Sequence, residues 1–204
     1  SEEQLKQSIL QVEDKFNTYQ GNPKAVAELL NEGNIVALFQ GSSEAGPRAL
    51  GNRSILYNAN DPNGKEFVNK VKGREWFRPF AGTVLEEDAD QFFDLAGMES
   101  SPFMMYAVDV KTLHPMQDHD PVPSITHVDN TCRVQTVNKD QNENYYNIIN
   151  EFKKLTGIPI VFNTSFNLAG EPLVETINDA INVLLNSDIK YLYLPEVKLI
   201  LEKK

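Results

Sequence analysis

Four short apolar runs, Ile35 to Phe39, Phe80 to Leu85, Ile158 to Phe162 and Tyr191 to Leu194, are each bounded by glycine, proline or polar residues. Runs of that length and boundary chemistry predict buried strands and commit the chain to a sheet with both faces covered. Helical patterns lie between them. Asn22 and Pro23 read as an N-cap and first helical residue, Ala25 to Leu30 as the body and Gly33 as the stop. Asp61 and Pro62 cap a helix that ends near Gly73, Glu86 to Leu95 reads as a short acidic-headed helix, and Thr176 to Asn186 closes the series. Between Asn144 and Thr156, Tyr145, Ile148, Ile149, Phe152 and Leu155 follow helical spacing, stopped by Gly157 and Pro159. Further strands are expected at Ile55 to Tyr57, Phe103 to Val110, Arg133 to Val137 and Val197 to Leu201, with a loop over Lys111 to Asp120. The elements do not alternate as in a doubly wound fold, so the expected class is α/β on a twisted mixed sheet with flanking helices.

The totals narrow the function classes. A chain of 204 residues with 41% hydrophobic content fits one domain with a full core. A net charge of -10 and a pI near 4.8 argue against broad nucleic-acid binding, which needs an extended basic face. Cys132 is the one cysteine, which excludes an internal disulfide. No apolar run suits a membrane span or a leader, so a cytoplasmic location is expected. The chain starts at Ser1 and enters directly into Leu5, Ile9, Val12 and Phe16 at helical spacing. Residues 1–20 are therefore expected to be a helix and linker from a preceding domain, and residues 21–204 the domain proper.

The basic residues are unevenly spent. All five arginines, Arg48, Arg53, Arg74, Arg78 and Arg133, fall in three short segments, whereas the fourteen lysines are dispersed. Arg48 to Arg78 holds seven basic residues against Asp61, Glu66 and Glu75, a balance of +4 within an acidic protein. Guanidinium is a permanently charged planar fork suited to phosphate and carboxylate, so the clustering points to an anion site, with solvated charge as the plain alternative. The segment Gly41 to Gly51 carries three glycines and reads either as a phosphate cradle or as a structural turn; it lacks the Gly-Lys-Ser/Thr of a P-loop and the dinucleotide glycine spacing. Lys72 to Ala81 interleaves Lys72, Arg74 and Arg78 with Trp76, Phe77 and Phe80, a base-stacking surface or an amphipathic edge. Asn163 to Asn167 follows a buried strand and offers amides and hydroxyls where open α/β sheets place ligands.

His127 and Asp129 fall on the same side of an extended segment, a pair able to hold a metal or relay a proton, though a hydrogen-bonded structural histidine is the simpler account. Two ligands do not make a metal site, and none is assigned. His114 and His119, beside Asp118 and Asp120, read as solvated loop charge, and Cys132 as packing.

Taken in order, Gly46-Pro-Arg-Ala-Leu-Gly-Asn-Arg-Ser-Ile-Leu56, Arg74-Glu-Trp-Phe-Arg-Pro-Phe-Ala81, Ser101-Pro-Phe-Met104, His127-Val-Asp129 with Thr131 and Arg133 to Val137, and Asn163 to Asn167 with Gly170-Glu-Pro172 resemble the C-terminal domain of the nodulation-type O-carbamoyltransferases. The resemblance runs from about Ile35 to Leu194. It implies a YrdC-like twisted sheet around a basic cavity. It also implies formation of carbamoyl adenylate from carbamoyl phosphate and ATP, with magnesium sharing the charge, for transfer to an acceptor hydroxyl by a separate actin-like domain. Lys72-Gly-Arg74 and Ser165-Phe-Asn167 resemble the family's Lys-x-Arg and Ser-x-Asn elements, so the catalytic role falls to Lys72, Arg74, Ser165 and Asn167. Arg48, Arg53, Arg78, His127, Arg133 and Asn163 are assigned to substrate binding.

The sequence departs from the family at Ser42, where an arginine is common, and at Ala45, where a bulkier apolar residue is common. The front of that loop is thus expected to bind differently. Two other readings stay open: a module that binds nucleotide or carbamoyl phosphate with reduced turnover, and a threonylcarbamoyl-adenylate synthase of tRNA modification.

Overall fold

A computed structural model describes residues 2–111 and 120–204; His114, His119 and Asp118 lie outside the described residues. In chain order the elements are α1 (Glu2–Leu10), β1 (Phe16–Gln20), α2 (Pro23–Asn31), β2 (Val36–Phe39), β3 (Arg53–Asn58), α3 (Gly64–Val71), β4 (Ala81–Leu85), α4 (Ala89–Phe92), β5 (Phe93–Asp94), β6 (Ala107–Val110), β7 (Thr131–Val137), α5 (Glu143–Thr156), β8 (Ile160–Ser165), α6 (Ile177–Leu185), β9 (Tyr191–Leu194) and β10 (Leu199–Lys203). The strands form one mixed sheet in the order β1-β10-β9-β2-β3-β8-β4-β7-β6-β5. Its neighbours are antiparallel except β2 with β9 and β4 with β7. The expected mixed α/β class is the fold observed.

The period of two along each strand divides the core. Val36, Leu38, Leu56, Val161 and Leu85 face α2 and α5, where they meet Val26, Leu30, Ile148, Ile149 and Phe152. Ala37, Phe39, Ile55, Tyr57, Ile160 and Phe162 face the other way and pack with Leu5 and Ile9 of α1, Val68 of α3 and Ile177, Ala180, Ile181 and Leu184 of α6. Local signals set the helix ends. The Asn22 side chain accepts from Ala25 N at 3.0 Å, Thr176 and Asp179 form a reciprocal capping box, and Gly157 stops α5 at φ 77°. Lys153 of α5 reaches Asp88, whose carboxylate is buried, at 2.7 Å and so ties the helix to the turn after β4.

Several expectations shift. The helix that opens the chain ends at Leu10, and Phe16 instead starts β1, which pairs with β10 and puts the Phe16 ring in the core. The predicted helix over Glu86 to Leu95 is cut short because Phe93 is extended and pairs with Val110. Phe103 lies in an exposed turn, and β6 begins four residues later. His127 to Asn130 is a turn closed by Asn130 N to the His127 carbonyl at 3.0 Å, not an extended segment. Asn163, Thr164 and Ser165 belong to β8 itself. Among the described residues no helix is long and apolar enough to cross a membrane.

Candidate functional site

One end of the sheet gathers the polar chemistry. The amino ends of β3, β4 and β7 and the carboxyl end of β8 coincide there, because β8 runs antiparallel to β3 and β4 while β7 runs parallel to β4. Ala81 is the register partner of both Arg133 and Asn163, so three neighbouring strands lay Arg133, Ala81 and Asn163 side by side on one face. Alanine keeps the middle of that row low. The loop from β2 to β3 brings Arg48, and the segment before β4 brings Arg74, over a cleft of about 90 Å³ lined also by Pro79, Phe80, Met104 and Ser165.

Among the described residues, the guanidinium groups of Arg48, Arg74 and Arg133 have no carboxylate within ion-pair distance and donate no side-chain hydrogen bond. Arg74 lies over the Phe80 ring at 5.2 Å. Arg133 Nε is buried without a partner. Burial, with Arg48 and Arg74 nearby, lowers the pKa of Arg133; burial and Arg78 lower that of Arg74, partly offset by Glu75. Arginine keeps its proton, so these shifts record mutual repulsion and lost hydration. Such an arrangement costs stability when empty and gains strongly from a bound anion.

A second chamber, of about 420 Å³, adjoins the first and shares Arg74 and Ser165 with it; its wall includes Lys72, Glu75, Arg78, Asn167 and Gly170. Lys72 follows α3, where Gly73 at φ 65° turns the chain toward Arg74. Only 2% of Lys72 is exposed, and its Nζ donates to the Ser165 carbonyl, to Ser165 Oγ and, at 3.1 Å, to Asn167 Oδ1. Ser165 Oγ also donates to Asn167 Oδ1 at 2.7 Å, and Asn167 Nδ2 donates to the Glu171 carbonyl at 2.7 Å. Burial, with Arg74 adding repulsion, pushes the Lys72 pKa down to about 7. Lys72 therefore braces Ser165 and Asn167. Arg78 is exposed at the rim and pairs with Glu75 at 2.6 Å.

Other predicted residues do not join the cleft. Arg53 is buried on the opposite face of the sheet, stacked on Phe39 at 3.7 Å, and its guanidinium donates to the carbonyls of Gln40, Asn52, Gly41 and Glu175. The physical reason is strand alternation: Arg53 shares its side of β3 with Ile55 and Tyr57. Both His127 ring nitrogens are occupied, Nε2 by the Phe80 carbonyl at 3.1 Å and Nδ1 by Thr131 Oγ1 at 3.3 Å, so the ring staples the segment before β4 to the start of β7. Thr131 Oγ1 also lies 2.7 Å from Asp129 Oδ1, so its single proton serves either that carboxylate or His127 Nδ1. Ser42 is exposed and is not among the cleft's lining residues.

Sequence reasoning passed over Glu44 and Thr83, whereas strand alternation sets Gln135 beside Arg133 and Val137 on the polar face of the 133–137 strand, a face able to serve a site. Thr83 and Gln135 are register partners one rung below Ala81 and Arg133, and both are buried. Thr83 Oγ1 donates to Gln135 Oε1 at 2.9 Å and accepts from Asn163 Nδ2 at 3.1 Å. The available signal was a polar side chain inside an otherwise apolar strand run, where burial demands a partner.

Comparison with known proteins gives the same picture. Nodulation protein NolNO of Sinorhizobium fredii is 44% identical over 165 residues, which is 80% of this chain and 24% of that protein. Nodulation protein NolO of Bradyrhizobium diazoefficiens is 44% identical over 167 residues, 81% of this chain and 30% of that protein. The chain thus spans about a quarter to a third of the length of these relatives. Among solved structures, full-length HypF in its phosphate- and nucleotide-bound form superposes with a TM-score of 0.56 at 19% identity, covering 84% of this chain and 21% of HypF. T. kodakarensis HypF gives 0.55 at 16% identity over 82% of this chain and 21% of that one. These likenesses carry the fold, which is YrdC-like. The family model described as carbamoyltransferase C-terminus matches residues 27–201, which takes in every residue of the cleft, and the chain belongs to that family.

Proposed function

We propose that this domain makes carbamoyl adenylate. Carbamoyl phosphate and water give carbamate and phosphate, a carbamate oxygen attacks the α-phosphorus of ATP, and pyrophosphate leaves. An acceptor hydroxyl then takes the carbamoyl group, with release of AMP, on a separate actin-like domain of the longer protein, making the whole an O-carbamoyltransferase of the cytoplasm. The observation that carries the reading is the convergence of Arg48, Arg74 and Arg133, none with a carboxylate or side-chain hydrogen-bond partner among the described residues, on a cleft floored by Ala81 and Asn163.

The reaction accumulates negative charge on the α-phosphate and pyrophosphate and asks for fixed cations more than for a base. Arg48, Arg74 and Arg133 supply them, with Arg78 at the rim of the larger chamber. In this reading the Asn163 side-chain carbonyl oxygen and Ser165 orient the carbamoyl group, and Lys72 holds Ser165 and Asn167 in place. The full-length HypF structure has phosphate and nucleotide bound, which supports the same ligand classes here. For magnesium the residues do not form a protein cage: among the described residues no three His, Cys, Asp or Glu converge, Glu75 is taken by Arg78, and Glu44 accepts from backbone amides. The ion would arrive on the nucleotide.

The test is carbamoyl-phosphate-dependent exchange of pyrophosphate into ATP by the 204-residue chain, beside calorimetry with ATP and carbamoyl phosphate. Exchange in the wild type that is lost in Arg74→Ala and Lys72→Ala supports the reading. Binding without exchange would replace it with a binding module, and AMP formation that needs threonine and bicarbonate would replace it with threonylcarbamoyl-adenylate synthesis.

A further inference from the structure

The backbone that follows Arg48 is pinned from two sides while the Arg48 guanidinium itself has no partner among the described residues. From below, Gln135 Nε2 donates to the Leu50 carbonyl at 3.0 Å, Asn163 Nδ2 to the Ala49 carbonyl at 3.2 Å, and Gln40 Nε2 to the Gly51 carbonyl at 2.7 Å. From the loop's own front, Glu44 Oε1 accepts from the amides of Leu50 at 2.7 Å, Asn52 at 2.8 Å and Arg53 at 3.3 Å. Gln135 is in turn fixed by Thr83, which donates to its Oε1.

Two features set this apart from ordinary loop packing. Glu44 sets a carboxylate near the buried Arg53 guanidinium, whose charge it supports, and its second oxygen has no hydrogen-bond partner among the described residues. Its contacts to the three amides are charge-assisted and so hold this stretch of backbone more firmly than neutral ones would. Gln135 sits mid-strand in a buried position where an apolar side chain would cost less, and its amide is spent on a carbonyl two residues from Arg48.

We propose that Gln135 and Glu44 are positioning residues that act through Arg48: together they hold residues 49–53 as a rigid frame, so that the Arg48 guanidinium is presented to the cleft before any anion arrives. A loop ordered in advance spares the binding step its ordering cost, and that saving appears as affinity. The inference rests on the cleft being the anion site of the proposed function.

A double-mutant cycle on the 204-residue chain tests it, with inorganic pyrophosphate and ATP as probes in calorimetry and thermal melting as the fold control. Gln135→Met should weaken pyrophosphate binding by about tenfold in the wild type and by less than about twofold in an Arg48→Ala background, since coupled residues are not additive. Glu44→Gln, which keeps an acceptor but turns charge-assisted bonds into neutral ones, should weaken binding by about threefold. If Gln135→Met does not fold, Thr83→Val removes the same support and takes its place in the cycle. Equal losses in both backgrounds, or tighter binding by Glu44→Gln, overturn the positioning role while leaving the anion site standing. A wild type that binds neither probe overturns both.

Discussion

Lys72, at the end of α3, is held by Asn167, on the loop after β8, through a 3.1 Å hydrogen bond from Nζ to Oδ1. The bond joins the two short elements that carry the family resemblance, and it does so from inside the protein. Burial keeps the lysine pKa near 7, while in the unfolded chain the group holds its proton up to its ordinary value of 10.5. Between those limits the unfolded state binds more protons, so stability rises with pH. Urea unfolding measured from pH 6.5 to 9.5 should show wild-type stability climbing relative to Lys72→Met by up to about 1.4 kcal/mol per pH unit above neutrality. Parallel curves for the two proteins would contradict a depressed lysine.

Arg133 bears a cost that the proposed anion binding would repay. Its Nε is buried without a partner, and Arg48 and Arg74 repel it. Arg133→Met should therefore raise folding stability by about 1 kcal/mol while weakening pyrophosphate binding by about tenfold or more, a trade typical of strained sites. A variant that loses both properties would mean that the arginine is structural.

Arg53 presents the opposite case. Its guanidinium serves four backbone carbonyls and stacks on Phe39, and lysine cannot reproduce that fork. Arg53→Lys should lower stability by about 2 kcal/mol or more, read as a lower urea midpoint. A loss within error of zero would show that the carbonyls find other donors.

The contact of Gly51 with Tyr145 gives a matched pair. Gly51 has φ 108°, and a Cβ there would overlap the Tyr145 ring. Gly51→Ala should cost about 2 kcal/mol or more through strain and overpacking. The Tyr145 hydroxyl is buried with Thr83 as its neighbouring polar group, so Tyr145→Phe should cost no more than about 1 kcal/mol. A much larger loss would mean that the hydroxyl carries more than this contact.

The sequence carried local facts well and non-local ones poorly. Asn22, Pro23 and Gly33 bound α2 because capping is settled within one turn of chain. Phe16 was read into a helix because its spacing from Leu5, Ile9 and Val12 is helical, whereas its pairing with Lys203 of β10 spans nearly the whole chain. The same divide runs through the site. Arg48, Arg74 and Arg133 were named and do meet, yet nothing local separates them from Arg53, whose fate depends on which face of β3 it falls. Glu44 escapes a reading of the sequence, and Gln135 is legible only as part of a polar strand face, because which backbone groups they meet is a property of the folded register.

The row formed by Arg133, Ala81 and Asn163 has one further consequence. Because the middle position ends at a single methyl group, it sets how deep a ligand can sit between the charged neighbour and the amide neighbour. Under the proposed function, enlarging that residue would fill the floor without touching any charge, so position 81 would tune substrate size independently of electrostatic attraction.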